Sequence, residues 1–284
     1  MPPIATLLAL ITLALWSVLA YLSSQLSHVP PILSVGIALS ISGILGIIRI
    51  REWQVNIKTL AVGVGGIFGY HFLYFTALQN APPIETSLIN YLWPLLIVIL
   101  SPLFLHGYIL RPYHIIGAFL GFLGAALIAT GGQLHLDIVN LKGYLYAAAA
   151  AFTWSGYSLL TKRLPRFPTG AIGIFCLVSG VLSLLLSLNS TTLNIFSSLS
   201  HRQWLFLLIL GIGPMGLAFY TWDAALKRGD ARIIGSLAYL TPLLSTLILV
   251  LVGGRQLTWI SAGAMILIVS GAVTGSFDLI KRKV

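Results

Sequence analysis

Long apolar runs separated by short polar breaks dominate this chain. A helix that crosses a membrane needs about 20 mostly apolar residues. Ten stretches meet that length, near residues 4–24, 31–50, 57–79, 84–106, 112–131, 142–162, 168–188, 203–226, 231–252 and 258–279. Each run is continuously apolar, whereas barrel strands would show shorter segments of alternating hydrophobicity, so the pattern predicts helices. The connections are short, and several carry helix-stopping residues: Pro30-Pro31, Pro82-Pro83, Gly131-Gly132, Pro165 and Pro168, and Gly253-Gly254. The first run, from Pro3 to Ser24, lacks the basic start of a signal peptide and is long enough to span. No segment is long and polar enough to form a separate water-soluble domain.

Composition agrees with this pattern. Of 284 residues, 58% are hydrophobic and 8% are charged, against about 25% charged in soluble domains. Lys and Arg outnumber Asp and Glu by 16 to 6, but they sit singly or in small groups between apolar runs. That spread argues against nucleic-acid binding and for membrane topology. With the amino terminus in the cytoplasm, thirteen basic residues fall on the inner side: Arg49, Arg51, Lys58, Arg111, Lys162, Arg163, Arg166, Lys227, Arg228, Arg232, Lys281, Arg282 and Lys283. Only Lys142, Arg202 and Arg255 fall outside. Loss of one helix would invert every later loop and scramble the bias, so both termini are expected in the cytoplasm. The Lys281-Arg282-Lys283 tail reads as an anchor at the lipid headgroups. Cys176 is the only cysteine, so no internal disulfide forms.

The two halves of the chain echo each other. Trp16-Ser17 in the first helix matches Trp154-Ser155 in the sixth. Ala77-Leu78, Tyr91-Leu92 and Pro94-Leu95-Leu96 match Ala225-Leu226, Tyr239-Leu240 and Pro242-Leu243-Leu244 at one constant offset. Gly117-Ala118 matches Gly263-Ala264. The matches are ordered and nearly in register, which points to two repeats, residues 1–141 and 142–284. Five helices per repeat is an odd number, so the second repeat enters the membrane from the opposite side. Inverted repeats are the mark of secondary transporters, with a site near the midplane between the halves.

The ten helices, the Leu15-Trp16-Ser17 opening, the repeated Tyr-Leu-x-Pro-Leu-Leu element and the Gly-Ala pairs of helices five and ten resemble the drug/metabolite transporter superfamily, EamA type, over the whole chain. Within it, Tyr70-His71-Phe72-Leu73-Tyr74 and Asn90-Tyr91-Leu92-Trp93-Pro94 resemble the bacterial aromatic amino-acid exporters. The resemblance implies a basket of helices around a central cavity, and export of amino acids or related metabolites.

Trp and Tyr ordinarily mark membrane interfaces. That role suffices for Trp53, Trp204 and Trp259, which fall at predicted helix ends. Another group falls near mid-helix: Trp16, Tyr70, His71, Tyr74, Tyr91, Trp93, Trp154 and Tyr239. Lipid offers their polar atoms no partner, so they are expected to face the bundle interior. Tyr70 and Tyr74 share a face at i, i+4, with His71 on the neighbouring flank. Aromatic packing explains any one of them; as a group, with Asn90, they are expected to line a substrate cavity. His71 is the one ionisable group besides tyrosine placed near mid-membrane. It either meets substrate or a proton, or is a neutral imidazole bonded to a backbone carbonyl or a tyrosine.

Pro94 and Pro242 occupy matching places and free the carbonyls of Asn90 and Ala238, so they are candidate hinges. Pro214, amid Gly211, Gly213 and Gly216, is a third. Gly117, Gly121 and Gly124 on one face, and Gly63 to Gly69, read as close helix packing. Asp223 one turn before Lys227 reads as an ion pair rather than a proton relay. Glu85 and Asp230 fall at helix starts, where a carboxylate favours the dipole.

No set of midplane carboxylates suits sodium or a proton relay, and no zinc-type cluster is present, so no metal and no cofactor are expected. A nucleotide-sugar carrier would need base at mid-depth, and a four-helix multidrug exporter a glutamate in the first helix; neither is found. An enzyme would need a nucleophile–base pair, and none is evident. The expectation is an all-α membrane protein exporting aromatic or other neutral amino acids by alternating access, without ion coupling. The alternative is a proton-coupled exporter of other small amphiphiles. The expected setting is a bacterial inner membrane, as a monomer or weak dimer whose partners are its small-molecule substrate and the lipid bilayer.

Overall fold

The computed structural model describes residues 1–134, 136–252 and 258–278. Gly253-Gly254, Arg255 and the Lys281-Arg282-Lys283 tail lie outside the described residues. Helices α1 (Pro3–Ser17) and α2 (Leu19–Gln25) form one stretch that breaks at Val18. Helix α3 (Pro31–Gly46) continues into a 3-10 segment ending at Trp53, and α4 (Ile57–Asn80) follows unbroken. Helices α5 (Pro83–Asn90) and α6 (Leu92–Phe104) meet at Tyr91, before α7 (Pro112–Thr130). Then come α8 (Leu141–Arg163), α9 (Ile172–Ser187) and the short α10 (Ser190–Ser197). Helix α11 (His201–Ile212) passes through a π-helical turn, Gly213–Leu217, into α12 (Ala218–Arg228). Helices α13 (Ala231–Ala238) and α14 (Leu240–Leu251) meet at Tyr239, and α15 (Trp259–Gly275) is last. No strand occurs among the described residues.

Eight of these stretches are long and apolar enough to cross a membrane, and α15 is a shorter apolar helix. Helix α8 is 23 residues long but is not one of the eight. Its Tyr, Thr, Ser and Gly residues lower its hydropathy, and it buries Trp154, Ser155, Tyr157, Ser158 and Thr161 against its neighbours. The outer surface is apolar: Ile48, Leu103, Ile109 and Ile266 are exposed, as suits side chains whose solvent is lipid.

The helix starts follow the sequence signals. Pro3, Pro31, Pro83 and Pro112 open α1, α3, α5 and α7, where a missing N–H costs nothing. The Asn56 side chain accepts from Thr59 N–H at 2.8 Å, and Asp230 accepts from Arg232 N–H at 2.9 Å. Gly131 ends α7 at φ +60, a left-handed conformation that glycine adopts without strain.

Four helix pairs form most of the bundle: α7 with α15, α3 with α9, α4 with α8, and α1 with α12. Each joins an element before residue 141 to one after it. Small residues let the backbones touch, which matters in lipid, where packing replaces the hydrophobic effect between helices. Gly117, Gly121 and Gly124 of α7 meet Gly275, Gly271, Ala264 and Ile268 of α15, along with Tyr239. Gly43 of α3 meets Leu177, and Gly66 of α4 meets the Tyr157 ring. Gly65, between them in sequence, has open space where a Cβ would stand.

Both proline-bearing helices break, though not at the prolines. The breaks fall three residues earlier, at Tyr91 (φ −64, ψ 0) and Tyr239 (φ −66, ψ −11). Pro94 and Pro242 then sit in the first turn of α6 and α14, where the helix tolerates them. Pro214 lies in the π-helical turn.

Candidate substrate cavity

The four broken stretches, together with α4 and α8, enclose a cavity of about 360 Å³. Trp16, Leu19, Ala20 and Ser23 face it from α1 and α2, and Tyr70, His71, Tyr74 and Phe75 from α4. Ser87, Asn90, Tyr91 and Trp93 come from around the α5–α6 break, and Trp154 from α8. Pro214, Met215 and Phe219 come from the π-helical turn and α12, and Ala238, Thr241 and Ser245 from α13 and α14. Eight of the nine side chains expected at a site are thus brought together. Among the described residues, no Asp, Glu, Lys or Arg lines the cavity.

Tyr239 is the ninth, and it lies elsewhere. Its side chain is fully buried behind the wall. Its hydroxyl donates to the Tyr91 carbonyl at 3.1 Å and accepts from the Leu95 N–H at 3.1 Å. It does not line the cavity in this structure, because mid-depth placement fixes only the need for a polar partner. Here backbone freed by the helix break supplies that partner.

The floor is aromatic. The Trp16 ring stands 6.0 Å from Trp93, 5.7 Å from Trp154 and 5.1 Å from Trp222, measured between centroids. Trp93 also meets Trp222 edge-on at 5.7 Å. Trp16 donates its indole N–H to the Pro214 carbonyl at 3.2 Å, and Trp222 donates to Ser158 Oγ at 3.0 Å. The indole N–H groups of Trp93 and Trp154 make no hydrogen bond to the described residues. Sequence reasoning did not single out Phe219 and Trp222. A usable signal existed, because the repeat offset carries His71 and Tyr74 onto these two positions.

The wall carries the polar atoms. Tyr70 and Tyr74 stack with centroids 6.0 Å apart and planes 2° from parallel. Tyr74 Oη lies 3.1 Å from Ser87 Oγ. Asn90 donates to Tyr70 Oη at 3.2 Å, while its side-chain oxygen is buried without a partner, as is Thr241 Oγ1. His71 Nδ1 lies 2.6 Å from the Ile67 carbonyl. A carbonyl only accepts, so Nδ1 carries the proton and Nε2 of the neutral ring is an acceptor. The carbonyl-bonded reading of His71 therefore describes one edge of the ring, while the ring itself also lines the cavity.

The cavity lies toward the ends at which α2 and α4 finish and α5 and α8 begin, marked by Ser23 and Ser87. The opposite end is closed by polar contacts across the bundle. Thr12 and Thr221 hydroxyls meet at 2.7 Å. Lys162 at the end of α8 donates to the carbonyls of Leu226, at 2.7 Å, and Gly229 at the end of α12. Asp223 pairs with Lys227 at 2.7 Å, as its spacing predicts, and accepts from Thr169 at 2.7 Å. Lys227 also donates to the Phe167 carbonyl at 2.9 Å.

A second polar cluster joins α7 and α13 to the chain beyond α15 at the same end. Asp278 accepts from the Tyr113 hydroxyl and lies 3.1 Å from His114 Nε2. Arg111 and Arg232 lie 3.8 and 3.9 Å from it. Partial burial pushes the Asp278 carboxyl up, but hydrogen bonds from Tyr113 and His114 and the Arg232 charge hold it below the ordinary aspartate value. Sequence spacing gives no hint of this cluster, since Asp278 and Tyr113 are 165 residues apart.

The sequence matches the EamA-like transporter family over two stretches, residues 3–130 and 141–276. The chain is 41% identical to the aromatic amino acid exporter YddG of Ancylobacter novellus, with 96% of each chain covered. It is 29% identical to the aromatic amino acid exporter YddG of Escherichia coli, over 85% of this chain and 86% of that protein. A crystal structure 39% identical in sequence, covering 96% of each chain, matches with a TM-score of 0.88. The multi-span helical bundle, the central cavity and the two matched stretches lead to one assignment: the chain belongs to the EamA-like transporter family.

Proposed function

We propose that this transporter exports aromatic and other neutral amino acids across a bacterial inner membrane by alternating access, without an obligatory coupling ion. The observation that carries the reading is the uncharged cavity of about 360 Å³ walled by Trp and Tyr. That volume is at the small end of small-molecule sites, about 300–1,000 Å³, and suits a single amino acid. Tyr and Trp faces offer stacking to an aromatic side chain. An ammonium over such a face gains about 0.5–2 kcal/mol. The Asn90 side-chain oxygen and His71 Nε2 are acceptors for it, and the Trp93 and Trp154 N–H groups are donors for the carboxylate. The relatives named as aromatic amino acid exporters support this choice of substrate.

In this reading Leu141–Arg163 is a tenth crossing, and residues 1–141 and 142–284 are inverted five-helix repeats. Two separate stretches matching one family support the division. So does the packing: α1 against α12 mirrors α8 against α4, while α3–α9 and α7–α15 pair equivalent helices. The positive-inside bias supports both termini in the cytoplasm; with that orientation the cavity faces outward. Pro94, Pro242 and Pro214 then mark the segments that bend as the halves rock.

The test is flux of radiolabelled phenylalanine, tryptophan and threonine in liposomes holding the purified protein, with and without a pH gradient. His71→Ala and Trp93→Ala are run beside it. Flux that falls in both variants and ignores the gradient is expected. No flux of any of the three by folded protein would refute the amino-acid reading. Flux that requires the gradient would replace it with the proton-coupled alternative.

A further inference from the structure

Tyr91 and Tyr239 hold equivalent places in the sequence repeat, yet the structure uses them differently. Tyr239 Oη bridges Tyr91 C=O and Leu95 N–H, each at 3.1 Å. These are the two groups that an unbroken helix would pair with each other. A hydroxyl inserted into the i→i−4 ladder is a recognised cause of a helix kink. The Tyr239 ring is fully buried, and a Cβ added to Gly121 would stand 2.4 Å from its Cδ2. The hydroxyl is therefore held in place from behind. Tyr91, by contrast, faces the cavity, and its hydroxyl makes no hydrogen bond to the described residues. The corresponding target in the other half is the pair Tyr239 C=O and Leu243 N–H.

We propose that Tyr239 is a positioning residue that keeps the α5–α6 break open so that Tyr91 and Trp93 face the cavity, and that Tyr91 and Tyr239 exchange this role as the transporter alternates. In the inward-facing state Tyr91 inserts between Tyr239 C=O and Leu243 N–H, and Tyr239 turns to the cavity. The same hydroxyl chemistry thus serves each state from opposite halves. The inference rests on the alternating-access reading, and its readout needs no substrate.

The experiment uses full-length protein with Cys176→Ser, carrying either Ser23→Cys at the outer cavity or Thr221→Cys at the closed end. Labelling by a membrane-impermeant maleimide is timed from outside in cells and from the inner face in inverted vesicles. Removing one hydroxyl, worth about 1 kcal/mol net, shifts a two-state balance by about fivefold. Tyr239→Phe is expected to slow labelling of the outer cysteine and speed that of the inner one, by about that factor. Tyr91→Phe is expected to slow labelling of the inner cysteine. Both variants keep the ring, and Tyr239→4-aminophenylalanine, which keeps the donor to Tyr91 C=O but only a weak acceptor for Leu95 N–H, restores the rates in part even if the Phe variant melts lower. Shifts of the same sign in both variants, no shift in either, or absence of the aminophenyl rescue would overturn the proposal. Absent amino-acid flux with the labelling pattern intact would sink the substrate reading alone.

Discussion

Gly117 tests whether helix contact, rather than apolar composition, holds this bundle together. A Cβ at Gly117 would stand 2.3 Å from Gly275 N, 2.5 Å from Gly275 Cα and 2.7 Å from the Gly271 carbonyl oxygen. All three are backbone atoms, so no side chain can swing aside. Ordinary contact needs about 3.5 Å or more, so Gly117→Ala forces α7 and α15 apart by about 1 Å. A gap of that size forfeits a quarter to a half of the dispersion energy of each contact it opens. Overpacking of this kind costs about 1–3 kcal/mol, and between lipid-embedded helices no hydrophobic term compensates. The gain in helix propensity from glycine to alanine returns at most about 1 kcal/mol. A net loss of about 2 kcal/mol lowers the melting temperature of a chain this size by about 4–8 °C. Gly65→Ala is the control, since nothing lies within 4 Å of its added Cβ, and it should melt at or slightly above wild type. The assay is thermal melting in detergent followed by size-exclusion recovery. Gly117→Ala melting level with Gly65→Ala would show that the α7–α15 contact is not the tight one described.

Two further outcomes follow from particular contacts. Trp16→Phe removes the N–H that meets the Pro214 carbonyl and thins the aromatic floor; it should cost about 2 kcal/mol in melting and lower phenylalanine flux at saturating substrate. Asp278→Asn should destabilise by about 1 kcal/mol at neutral pH. Because folding depresses this carboxyl, its contribution is present above the unfolded value, near 4, and is lost as pH falls through the folded one. Melting curves of the two proteins should therefore converge in strong acid.

What the sequence made legible was what depends on neighbours along one helix. The apolar runs located the eight helices long enough to span, the i, i+4 rule found the Tyr70–Tyr74 stack and the Asp223–Lys227 pair, and mid-depth placement gathered eight cavity residues. Contacts between distant segments were not legible. Asp278 meets His114 only because α15 packs along α7. Tyr239 was assigned to the cavity because depth and chemistry alone do not say which way a ring turns. The break at Val18 has no proline or glycine to announce it. The breaks at Tyr91 and Tyr239 were announced by prolines, but their position depends on where the chain resumes a helix, with proline in its first turn. Helix α8, expected as a span from the sequence, is not among the eight, because its polar residues lower its hydropathy.

The three tryptophans that line the cavity, with Trp222 packed against them, also make the protein its own spectroscopic probe. Trp16, Trp93, Trp154 and Trp222 lie with centroids between 5.1 and 6.5 Å apart, close enough for excitation to pass among them, while Trp53, Trp204 and Trp259 stand apart near helix ends. A molecule entering the cavity touches one edge of this group and alters the emission of the whole. Ligands that do not themselves absorb at the exciting wavelength, threonine and phenylalanine among them, therefore become measurable by intrinsic fluorescence, without label or membrane gradient.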